Sequence, residues 1–251
     1  MVATLDPSLD TLPSDPVLNR MNRLTTAAAM AAVLAACGGA EPRLPLREQG
    51  APVLATLAGA AGPGPERLRA GDLSGARAAF EADLTRNPDG LGALNDLAVS
   101  YFLEGHADAA RRLLDEVVAK GNLAEQQAAL VNLGELYAVE GYVSAAQAYL
   151  DTARGLDATR PEPWYALALL ADSRGELERA RLSLREALAR DDAGAARAAF
   201  AYVHPEERVH LEALVAEQAG EVTLAAERWR ALAAGRFPAL AAAAERHLAG
   251  E

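Results

Sequence analysis

A pattern that returns every 34 to 36 residues constrains this chain more than any other feature. Leu97, Leu133 and Leu167 correspond, as do Ala98, Gly134 and Ala168; then Gly105, Gly141 and Gly175; then Ala110, Ala146 and Ala180. An earlier half-copy places Gly71 and Ala76 34 residues before Gly105 and Ala110. Gly220, Ala225 and Trp229 keep the same internal spacing, and Gly220 lies 45 residues after Gly175, one 34-residue period plus 11. The 11-residue stretch 193–203, ending just before His204-Pro205, has the size of that insertion. Periods of this length mark arrays of one supersecondary unit, each unit burying its apolar face against the next. Small residues at Ala98, Gly134 and Ala168 let paired helices approach. The recurring glycines suit a left-handed helix end, and Pro88 and Pro161 interrupt the chain between units.

These residues resemble the tetratricopeptide repeat. Trp164 fills its first aromatic place, Leu133-Gly134 its Leu-Gly pair, Tyr101 and Tyr137 its Tyr place, Phe80 its second aromatic and Pro88 its closing proline. The resemblance covers about residues 65–236. It implies an all-α fold, a right-handed α-solenoid of helix pairs ending in a capping helix over Phe237–Ala249, with 65–251 as the domain. The other reading of the residues is an Ala-rich helical bundle.

In that family the first helix of each pair, helix A, lines a concave groove. Carried over, the groove positions are Asn95, Val99, Phe102 and Leu103, then Val131, Glu135, Ala138 and Val139, then Tyr165, Leu169, Asp172 and Ser173. Some members hold a peptide carboxylate there with Lys and Asn. Here only Asn95 and Asn132 remain, without Lys or Arg, so that clamp is not expected. The surface is apolar with acidic spots, which suits an amphipathic or partly basic segment of a protein partner. Any one of these residues can instead simply pack on a neighbouring helix.

Upstream, Leu24–Ala36 is a largely apolar run of 13 residues, shorter than the roughly 20 a spanning helix needs but suited to the apolar region of a secretory signal. It ends in Leu34-Ala35-Ala36-Cys37-Gly38, which resembles the lipobox of bacterial lipoproteins. The resemblance implies cleavage before Cys37 and lipidation of its sulfur. Residues 1–20 hold Asp6, Asp10, Asp15 and three prolines, a poor start for a signal, whereas Met21-Asn22-Arg23 is a good one. Translation is therefore expected to begin at Met21, with 1–36 an extension plus signal peptide. Residues 37–64, rich in Pro, Gly and Ala, read as a lipidated flexible tether, with a short helix over 51–61 as the alternative. Gly38 in place of Asp implies an outer-membrane lipoprotein facing the periplasm. The alternative is a soluble cytosolic adaptor without an anchor.

Composition removes other functions. With 24 Lys+Arg against 35 Asp+Glu and a net charge of −11, the chain has no basic surplus to displace counterions from nucleic acid. A single cysteine excludes a disulfide framework. His204 and His210 sit in HPEERVH, not in the HExxH zinc spacing, and read as solvated surface residues; His106 and His247 stand apart from them. Acidic and basic residues alternate through Glu176, Glu178, Arg179, Arg181, Arg185 and Glu186 as a solvated ion-pair face. No GxxxxGK[ST] or GxSxG occurs, and the Gly62–Gly64 segment reads as linker. The expectation is a non-enzymatic scaffold without cofactor or metal, touching the membrane only through its lipid. Its layout resembles tetratricopeptide lipoproteins that help pilus secretins assemble.

Overall fold

One tight turn, made five times, organises the chain. In the computed structural model, which describes residues 61–201 and 205–250, Gly71, Gly105, Gly141, Gly175 and Gly220 all have φ between 76° and 86°. After each, the next N–H reaches back five residues: Asp72 to Arg67, His106 to Tyr101, Tyr142 to Tyr137, Glu176 to Ala171 and Glu221 to Ala216, all at 2.8–2.9 Å. That bond satisfies a carbonyl the helix end would otherwise leave unpaired, and its geometry needs the left-handed residue that glycine supplies without a Cβ clash.

The turns join helices in pairs: α1 (Pro63–Arg69) with α2 (Leu73–Arg86), α3 (Leu91–Leu103) with α4 (Ala107–Lys120), α5 (Leu123–Val139) with α6 (Val143–Leu156), and α7 (Glu162–Ser173) with α8 (Leu177–Leu188). A five-residue helix, α9 (Ala195–Ala199), follows. The fifth pair is α10 (Pro205–Gln218) with α11 (Val222–Ala233), and α12 (Pro238–Ala249) closes the array from an extended Phe237. The described residues hold no strand. The fold is therefore all-α. The fifth pair and the terminal helix stand where the spacing places them, and the described part of the insertion, 193–201, precedes that pair.

Within pairs, small residues set the approach. Ala76, Ala110, Ala146, Ala180 and Ala225 are all buried, none more than 4% exposed. A Cβ at Gly134 would come within 2.7 Å of the Leu150 side chain, closer than packed carbon atoms allow. Helix α5 begins at a capping box: the Asn122 side chain accepts from the N–H groups of Ala124 and Glu125, and Glu125 accepts from the Asn122 N–H at 2.9 Å. Between pairs, an arginine just after the buried alanine reaches the glutamate before the next pair's glycine. Arg77 pairs with Glu104 at 2.8 Å and Arg111 with Glu140 at 2.7 Å. The same guanidinium groups lie over Tyr101 and Tyr137, at 5.9 and 5.1 Å.

The tether expectation is corrected at its C-terminal edge. Pro63 and Gly64 begin α1 rather than ending a linker. Proline is tolerated in a first helical turn, where its missing N–H has no intrahelical partner to lose. Gly64 is buried beneath the Phe80 ring, where any Cβ would collide. The expected start at Met21, the signal over Leu24–Ala36, Cys37 and the tether up to residue 60 lie outside the described residues, as does His204. Among the described residues no helix is long and apolar enough to cross a membrane.

Candidate partner-binding face

Helix A of one pair packs on helix A of the next, α3 on α5 and α5 on α7. These three first helices thus form a continuous layer, and the residues carried over as groove positions stand on it. The structure covers most of these positions. Asn95, Val99, Glu135, Tyr165, Leu169 and Asp172 are each no more than 3% exposed, whereas Phe102 and Val139 remain partly exposed. The six are corrected from open groove surface to covered positions.

Two causes account for this. On α3 and α5 the layer carries a buried polar row: the Asn95 side-chain amide donates to Asp96 Oδ1 at 3.0 Å, and that of Asn132 donates to Asn95 Oδ1 at 3.0 Å. Buried amides need such partners, because each one unsatisfied costs about 1–3 kcal/mol. The two asparagines therefore bond along the array and are not held open for a peptide carboxylate.

The second cause is the insertion. Beyond α8, Asp191 is 6% exposed and accepts a hydrogen bond from the Tyr165 hydroxyl at 3.0 Å. Its carboxylate also accepts from the N–H groups of Ala196 and Arg197, at 3.0 and 3.2 Å, which starts α9. The chain then extends through Phe200 (φ −63°, ψ 143°), whose ring meets Tyr165 edge-on at 5.7 Å. Ala201, fully buried, joins an apolar cluster with Leu97 and Val99 of α3. The insertion thus passes from α7 to α3 across the helix-A side.

Asp172 has a different fate. Its carboxylate sits between two imidazoles, His210 Nε2 at 2.6 Å and His247 Nε2 at 2.7 Å. The other nitrogen of His247 donates to Glu217 at 2.7 Å, and Glu217 also accepts from the Trp229 indole at 3.0 Å. Trp229 stacks on His247 with ring centres 4.1 Å apart, and Arg246 donates to the Asp172 carbonyl at 2.9 Å. Burial disfavours the charged His247 ring, but bonds to Asp172 and Glu217 outweigh it and raise its pKa to about 9. Burial likewise opposes ionisation of Asp172, yet bonds from the two histidines hold its carboxyl well below the usual range. Glu217 is lowered in the same way, burial being outweighed by His247 and Trp229. His210 is corrected from a surface residue to a fully buried one. Asp172, proposed for the groove, instead clamps α7 to α10 and α12.

A cleft of about 570 Å³ lies between α9 and the fifth pair, lined in part by Arg197, Arg208, Glu212, Leu224 and Arg228. Arg228 is paired with Glu212 at 2.7 Å and Arg197 approaches Asp191 at 3.6 Å. The described residues contain no group of three or more His, Cys, Asp or Glu able to hold a metal ion.

The family model of the tetratricopeptide repeat matches residues 67–133. The helix pairs there are tetratricopeptide repeats. The same turn and the same buried alanine carry the repeat onward through α5–α6, α7–α8 and α10–α11. The chain is similar to the crystal structure of MamA, at 20% identity and a TM-score of 0.40 over 75% of this chain and 98% of that one. It is also similar to TTC0263, a thermophilic tetratricopeptide protein of Thermus thermophilus, at 22% identity and a TM-score of 0.49 over 74% of this chain and 95% of that one. No curated protein matches it.

The array of helix pairs places the recurring glycines at its turns and the recurring alanines between paired helices. What spacing could not locate is the set of residues that cover or clamp helix A: Asp191, Phe200 and Ala201 on one side, Glu217, Trp229, His210 and His247 on the other. For the first set a signal existed, the 11 extra residues before Pro205. For the second none did, since its members share no period.

Proposed function

We propose that this chain is a non-enzymatic tetratricopeptide scaffold held at the bacterial envelope by lipid on Cys37, where its helix-A layer binds protein partners during assembly of a multiprotein envelope complex, pilus or secretin biogenesis among the candidates. The observation that carries the binding half is the insertion laid across the helix-A layer. It supports the layer's capacity to take an extended segment, with an aromatic side chain against Tyr165 and a small residue against α3. Phe102 and Val139, partly exposed on the same helices, supply apolar contact for an amphipathic partner, and the charge of −11 favours one that is partly basic. The anchoring half, with the protein at the outer membrane and facing the periplasm, is supported by Leu34-Ala35-Ala36-Cys37-Gly38.

Two experiments test the halves separately. Cells fed a clickable fatty acid should label the full chain and not Cys37→Ala; label absent from the wild type, or persisting in the variant, would leave a soluble cytosolic adaptor. Phe102→Ala combined with Val139→Ala should lose captured partners while keeping its helical circular dichroism. Unchanged partners would move the binding surface off helix A.

A further inference from the structure

We infer that residues 191–201 are an internal occupant of the helix-A face, a built-in competitor that a partner segment displaces. This rests on the reading of that face as the partner-binding one.

Among the described helix pairs, those from α1 to α8 are joined by short links, with only Gly121 and Asn122 between α4 and α5. Between α8 and α10 the chain instead spends a full detour, and it goes inward. Three contacts hold it to the face. Asp191 accepts from the Tyr165 hydroxyl and starts α9, Phe200 packs edge-on against Tyr165, and Ala201 is buried with Leu97 and Val99. Tyr165, Leu97 and Val99 belong to helices that are themselves parts of regular pairs, complete without the insertion. The segment between the anchors is less buried than its ends: α9 has five residues and fully buries none of them, though Ala196 rests against the core and Arg197 pairs with Asp191. So short a helix has almost no stability of its own. A segment held chiefly through Asp191, Phe200 and Ala201 can be exchanged for another that offers the same chemistry, an aromatic side chain followed by a small one in extended backbone. The apparent affinity of any competitor equals its intrinsic affinity multiplied by the fraction of molecules in which the face is free.

A fluorescent synthetic peptide of residues 190–201 is the probe, read by anisotropy against the full chain. It should bind at least ten-fold more tightly to a full-length variant whose residues 192–201 are replaced by Gly and Ser at equal length. Phe200→Ala, which keeps the backbone, should fall between that variant and the wild type. Equal binding to all three, or none to a replaced variant that keeps its helical circular dichroism, overturns the inference. Loss of helix content on replacement also overturns it, because the segment is then a structural wedge. Partner capture separates this from the reading beneath it. Capture that depends on Phe102 while the peptide ignores every variant keeps the partner face and removes the competitor. Peptide binding without Phe102-dependent capture keeps the occupant and removes the partner reading.

Discussion

The two ends of the array are held together by different physics. From α1 to α6 successive pairs join through a repeated device, an arginine over a tyrosine and paired with a glutamate: Arg77 with Tyr101 and Glu104, Arg111 with Tyr137 and Glu140. From α7 to α12 the apolar core is joined by a polar cluster, Asp172 between His210 and His247, extended by Glu217 and Trp229. Partly exposed ion pairs contribute modestly each, and losing one leaves the others intact. A largely buried cluster whose members share partners contributes as a unit, and removing its centre weakens all of them.

The sharpest way to break this contrast is Asp172→Ala. It leaves two buried imidazoles facing a void and should cost about 3–5 kcal/mol, as removing one partner of a buried charge does. Thermal unfolding should fall accordingly, with amide exchange rising first in α10–α12. Equal loosening across α1–α6 would dissolve the distinction.

Alkaline pH should act in the same place with a smaller effect. His247 has its folded pKa raised to about 9, against an ordinary value near 6.5. Its contribution is complete below the unfolded pKa and disappears as pH climbs through 9. Asp172 and Glu217, whose pKa values are lowered, work in the opposite sense and lose theirs as pH falls below the ordinary carboxylate range. The melting temperature should therefore decline between pH 6.5 and 9.5 in the wild type. In His247→Gln it should stay nearly flat over that interval; an unchanged slope there would assign the pH dependence to another group.

Next comes Gly134→Val, which forces a side chain into Leu150 and should destabilise by about 1–3 kcal/mol, the usual range for overpacking. Its effect belongs to α5–α6 and should be independent of pH, in contrast with the clamp. Smallest is Arg77→Gln. Arg77 is about a third exposed, and the loss should stay below about 1 kcal/mol and shrink further in high salt. A loss as large as that of Asp172→Ala would mean that the first joint is also a cooperative network.

The same contrast explains what could be read from the chain. Whatever recurs with the period was visible: the glycines at each turn, the alanines between paired helices, the displaced fifth pair, the terminal helix. These follow from backbone geometry and local volume, which a short window of sequence contains. The site was visible only in part. Asn95, Val99, Glu135, Tyr165 and Leu169 do lie on the helix-A layer, yet nothing in their own spacing says that a segment 26 residues beyond Tyr165 reaches the same tyrosine. Asp172 carries the least local information of all. On its helix it is one more acidic residue, and its buried role depends on histidines 38 and 75 residues away. Covering and clamping are non-local properties, set by which faces meet after the pairs have formed.

The clamp also has a kinetic meaning. Contacts in an array of helix pairs lie within a pair or between neighbouring pairs, so such chains have low contact order and can grow outward from any nucleus. The bond between Asp172 and His247 closes 75 residues of chain, and closing a loop of that length is entropically unfavourable until its ends are already positioned. Growth from the N-terminal side therefore meets a late step. The fourth pair, the fifth pair and α12 become secure together, when the C-terminal helix arrives, and a chain cut short before His247 lacks the residue that ties them.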